Sequence, residues 1–88
     1  LPTGWELYSV IDGEKHPDTC ARDFGATRDD RRAYVFGVRE IDGTPRNLHA
    51  HVMHCRAPEP NHRVFQPGEL AEACRWCDEQ IAKAIPGQ

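Results

Sequence analysis

Long apolar runs are missing from this chain. No stretch approaches the ~20 consecutive apolar residues of a membrane-spanning helix. With 39% hydrophobic residues and a mean hydropathy of −0.71, the expectation is a cytoplasmic protein with no membrane partner. The apolar cluster from Leu7 to Ile11 is broken by Ser9 and lacks a basic flank, so it reads as a strand rather than a signal sequence. Lysine is scarce, with Lys15 and Lys83 set against nine arginines. No long block of one charge sign occurs: 14 acidic and 11 basic residues are interspersed, for a net charge of −3, which excludes a polyelectrolyte tail. A glycine-rich phosphate loop is lacking as well. Asp29-Asp30 and Asp78-Glu79 are adjacent acids with no sign of converging, so they read as solvated surface. What remains, in 88 residues, is material for one hydrophobic core, expected as a single domain over 1–88.

Three stretches have the composition of strands. They are Trp5 to Ile11, Ala33 to Ile41 and Asn47 to Cys55, and His62 to Phe65 offers a short edge strand. Asp42-Gly43 supplies the positive φ angles of a tight hairpin between the second and third. Asp12-Gly13 repeats that signal in the same Ile-Asp-Gly context, with Pro17 limiting the returning strand. The segment His16 to Arg32 is compatible with a short helix from Pro17 to Phe24 or with a loop. Pro58 and Pro60 mark a rigid connection. The helix signal follows: Gln66 as N-cap, Pro67 in the first turn, Glu69 at the capping-box position, and Pro86-Gly87 as the stop. Between them Leu70, Ala73, Cys74, Cys77, Ile81, Ala84 and Ile85 recur at helical spacing. The fold class expected is therefore α+β, a three- or four-stranded antiparallel sheet with one C-terminal helix packed across one face.

Four cysteines and five histidines are the residues with chemical reach. Cys74 and Cys77 lie more than a turn inside the helix, on its apolar stripe. A redox pair belongs instead at a helix N-terminus, where the dipole stabilises a thiolate. As small hydrophobes in a core they need no further role. No resident cofactor is expected on that reading. The alternative is a tetrahedral zinc site in which Cys74 and Cys77 are joined by His54 and by Cys20 or His62. His49 and His51 share the other face of their strand and read as solvated. The run His49-Ala50-His51-Val52-Met53 resembles the histidine-triad nucleotide hydrolases in its alternation, but Met53 occupies the third position and no assignment follows. Cys20 or Cys55 as a thiol nucleophile would lack a neighbouring glycine-rich turn or helix start to bind an oxyanion.

The leading functional expectation is a non-enzymatic domain that docks on a partner protein. Its size and arginine bias suit a regulator or inhibitor encoded by a bacterium, phage or plasmid. The candidate binding residues are Tyr34, Arg39 and Arg46 around the hairpin, together with Trp76, which serves either the core or an interface. A zinc-stabilised nucleic-acid-binding module is the second expectation. Arg28, Arg31 and Arg32 precede the strand of Tyr34 and Phe36, and arginine beside strand aromatics binds single strands by stacking. Asp29 and Asp30 inside that cluster weigh against it. A small thiol enzyme is the third.

Overall fold

In β6 (Leu48–Val52) the odd and even side chains separate cleanly: Leu48, Ala50 and Val52 are buried, while His49 is exposed and His51 half-buried. A strand alternates its side chains between two faces, so this pattern assigns one face of the sheet to the core and the other to solvent. The structure, a computed structural model, describes residues 1–7, 10–11, 14–15, 19–23, 31–38, 46–53, 57 and 59–84. In chain order the remaining elements are β1 (Trp5–Leu7), β2 (Val10–Ile11), β3 (Glu14–Lys15), β4 (Thr19–Asp23), β5 (Arg31–Phe36), β7 (His62–Phe65) and α1 (Leu70–Ala84).

Five strands form one antiparallel sheet in the order β1-β4-β5-β6-β7, and β2 pairs with β3 as a separate two-stranded ribbon. The α+β class agrees with the sequence expectation, with a sheet larger than the three or four strands expected. The added strand is β4, within the segment for which the sequence offers a helix or a loop. Thr19, Cys20 and Ala21 are all buried, so β4 is covered on both faces and shows no alternation to read. The expected first strand is also divided, into β1 and β2. The Asp12-Gly13 and Asp42-Gly43 turns lie outside the described residues. The pairings Val10↔Lys15 and Phe36↔His49 on either side of them are antiparallel, as those turns require.

Helix α1 lies against β5, β6 and β7. Its stripe of Ala73, Cys74, Cys77, Ile81 and Ala84 is buried, and Trp76 and Gln80 widen it. The facing residues Cys20, Ala33, Val35 and Ala50 have no exposed surface. Alanine and cysteine on both sides of this contact let the helix approach the sheet closely. The helix begins one turn later than the sequence suggests. Gly68 has φ +87°, incompatible with helix, so residues 66–69 form a turn closed by Glu69 N–H to Gln66 C=O at 3.1 Å. The capping interaction survives this shift: the Gln66 N–H donates to Glu69 Oε1 at 2.7 Å.

A polar clasp fastens β1 to the helix. Trp5 Nε1 donates to both carboxylate oxygens of Asp78 at 3.2 and 3.3 Å, and Arg22 Nε lies 3.1 Å from Asp78 Oδ1. Arg22 also donates to the Thr3 carbonyl at 3.0 Å. Thr3 and Trp5 in the N-terminal segment and Arg22 in β4 thereby meet one side chain of α1.

Candidate functional site: the open face of the sheet

The face turned away from α1 carries a continuous group of rings. Strand β5 contributes Tyr34 and Phe36, β6 contributes His49 and His51, and β7 contributes His62. The registers Tyr34↔His51↔His62 and Phe36↔His49↔Val64 align these residues in two rows across three strands. Tyr34 and Phe36 stack at 5.9 Å between centroids, and Phe36 meets His51 edge-on at 5.5 Å. His62 stacks on His51 at 4.4 Å and on His49 at 5.7 Å. Phe36, Val64 and Met53 remain 42%, 46% and 59% exposed. Gly37 ends β5 with φ +87°, and a Cβ there would lie 2.6 Å from the Asn47 carbonyl oxygen, so only glycine permits the chain to leave β5 this close to the start of β6. Beside this point Phe36, Gly37, Arg46, Asn47 and His49 line a cavity of about 470 Å³.

Burial, and then the neighbouring imidazoles of His62 and His49, hold the His51 pKa below the usual histidine value. The folded state thus binds a proton at His51 less readily than the unfolded chain. This contribution to stability is complete above about pH 6.5 and is lost as pH falls below that value toward the folded pKa. Thermal melts between pH 7.5 and 5 should show a decline in stability on acidification, and His51→Gln should flatten it. An unchanged pH profile in His51→Gln would show that His51 contributes none of that decline.

Of the residues singled out in the sequence, Tyr34 and Arg46 border this face, both half-buried. Arg39 lies outside the described residues. Trp76 is on the other side of the sheet, 7% exposed, in edge-to-face contact with Phe65 at 6.2 Å. Sequence reading assigned His49 and His51 to solvent and missed their association with His62. The available signal was the His-x-His alternation of one strand combined with a histidine in the next, but it becomes specific only once the β6–β7 register is known.

The thiols converge elsewhere. Cys20 and Cys74 face each other across the core with sulfurs 3.8 Å apart, and Cys77 is buried on the same helix stripe. His54 and Cys55 lie outside the described residues. Among the described residues, no three His, Cys, Asp or Glu side chains are placed to hold a metal ion. The hydrogen bond to Cys20, and then burial, raise the Cys74 pKa far above that of a free thiol. Burial first, then Cys74 and Asp78, pushes Cys77 up to about 12. Protonated, inaccessible thiols are poor nucleophiles. Native protein at pH 8 should therefore leave Cys20, Cys74 and Cys77 unmodified by iodoacetamide over an hour, and all three should alkylate in denaturant. Modification of any of them in the folded protein, read by peptide mass mapping, would refute this burial.

Asp78 has its pKa raised by burial, an effect opposed by the Arg22 guanidinium and the Trp5 N–H. This carboxylate is committed to the clasp between helix and strands. No protein-family model, curated protein or solved structure gives a significant match to this chain.

Proposed function

We propose that this protein is a non-enzymatic docking domain and that the open sheet face is the surface that meets its partner, another protein. The observation that carries the reading is the contiguous ring surface of Tyr34, Phe36, His49, His51 and His62, bordered by exposed Met53 and Val64. Aromatic residues, methionine and arginine are the types enriched in protein interfaces, and acidic residues are depleted there. The three strands that carry the rings, β5, β6 and β7, contain no acidic residue, and the acids of the five-stranded sheet, Glu6 and Asp23, belong to β1 and β4. The acids of α1 lie on the opposite side of the sheet. Arg46, beside the cavity at Phe36 and His49, supplies the kind of bidentate anchor that interfaces favour.

Capture from a lysate of the source organism tests this reading, with immobilised wild-type protein compared against a Phe36→Ala/His49→Ala variant. Both side chains are exposed, so their removal should change the melting temperature by only a few degrees. A protein retained by wild type and lost from the variant supports docking through this face. Equal retention by both overturns it.

The second reading, a zinc-stabilised nucleic-acid-binding module, has two observations in its favour. Ring faces on a sheet can stack on bases, and two thiolates on one tetrahedral zinc at ~2.3 Å stand about 3.8 Å apart, the Cys20–Cys74 spacing. It requires saturable binding of an oligothymidylate and stoichiometric zinc. Native mass spectrometry of folded, metal-free protein would remove it.

A further inference from the structure

The sheet ends at β7 with hydrogen-bonding groups directed outward. The Val52 N–H donates to the Asn61 carbonyl at 2.8 Å. By antiparallel alternation Ala50/Arg63 and Leu48/Phe65 are then the bonded pairs, and the N–H and C=O groups of His62 and Val64 point away from β6. On that side β7 has no neighbouring strand among the described residues. A groove of about 330 Å³ runs between this strand and α1, with Phe65 and Trp76 among its lining residues. Glu69, Glu72 and Glu79 also line it, and with Trp76 they follow the spacing i, i+3, i+7, i+10, which is one ridge of a helix. Two arginines share the lining. The Arg63 guanidinium is laid over the Phe65 ring at 4.8 Å, and Arg75 is the helical neighbour of both Glu72 and Glu79, at i+3 from the first and i−4 from the second. The groove is thus lined by three carboxylates against two guanidiniums, one of which lies over the Phe65 ring, and its balance of charge is negative.

We infer that β7 and this groove receive an extended, basic segment of a partner protein as a sixth strand. Main-chain bonds to His62 and Val64 would supply affinity, and alternate basic side chains reaching Glu69, Glu72 and Glu79 would supply selectivity. A second copy of this chain is a poorer occupant. Two-fold pairing of β7 with itself would place both helices on one side of the joined sheet, with their glutamate ridges facing each other. The strand is also only four residues long and sits between Pro60 and Pro67, features that discourage edge-to-edge self-association. The inference rests on the strand edge and not on the ring face, so each stands or falls separately.

The test is a titration of isotopically labelled full chain with a capped hexapeptide of alternating lysine and valine, followed by amide chemical shifts. A hexapeptide of alternating glutamate and valine serves as the control. Saturable shifts are expected at residues 62–65 and along 69–79, with the acidic peptide binding at least about tenfold more weakly. Glu72→Lys/Glu79→Lys, at two exposed positions, should reverse that preference without unfolding the protein. Absence of shifts at about 1 mM peptide, equal binding of both peptides, or shifts confined to residues 34–36 and 49–51 would each overturn the inference. Concentration-dependent dimerisation through the same residues, seen by sedimentation, would assign the edge to a second copy and overturn it too.

Discussion

Trp76→Ala is expected to lower stability by about 3–5 kcal/mol, the range for removing a large aromatic side chain from a core. Trp76 is 7% exposed and packs against Phe65 beneath the helix, so truncation leaves a cavity that the surrounding alanines and cysteines are too small to fill. A domain of this length holds roughly 4–13 kcal/mol at ~0.05–0.15 kcal/mol per residue, so the loss consumes a large part of the total. At about 4–8 °C per kcal/mol, the melting temperature should fall by at least ~12 °C. Trp76→Phe keeps an aromatic partner for Phe65 and should recover more than half of that loss. Thermal unfolding followed by circular dichroism separates the two roles that the sequence allows for this residue. A fall under ~5 °C in Trp76→Ala would mean that the indole is a surface anchor and not a core element.

Asp78→Ala should cost about 1–3 kcal/mol, because the indole N–H of Trp5, a buried residue, then has no acceptor and Arg22 loses its ion pair. The ion pair itself is a minor part, since its side chains are 30% and 36% exposed and partly screened. Asp78→Asn retains an oxygen for Trp5 while removing the charge, and it should cost less than half as much as the alanine variant. Urea unfolding of the two variants gives the comparison. Equal costs would locate the stabilisation in the Arg22 pair instead of the Trp5 hydrogen bond.

The sequence was most informative where one periodicity dominated. Helix α1 and β6 each have one apolar and one polar face, and the structure buries Ala73, Cys74, Cys77, Ile81 and Ala84 of the expected helix stripe, leaves Leu70 at its start half-buried, and buries Leu48, Ala50 and Val52 in the strand. Ile85 lies outside the described residues. Strand β4 was illegible for the opposite reason. Thr-Cys-Ala is small, buried on both faces and short of β-branched residues, so neither alternation nor propensity singles it out. The late start of α1 depends on the backbone of Gly68, which composition leaves free to be helical or not. The ring surface depended on register: His62 is thirteen positions from His49 and eleven from His51 in sequence, but only the pairing of β7 with β6 stacks the three rings. The Cys20–Cys74 contact likewise required β4 to enter the sheet beside β5.

Hydroxyl-radical footprinting of the whole chain, in buffer and in a lysate of the source organism, interrogates the ring surface in one measurement. Tyr34, Phe36, His49, His62 and Met53 oxidise readily when exposed and report contact individually. Docking through the open sheet face predicts that these residues become protected in lysate while the outer face of α1 around Lys83 does not. Unchanged oxidation of the ring surface alongside protection of α1 is incompatible with that face being the one that binds.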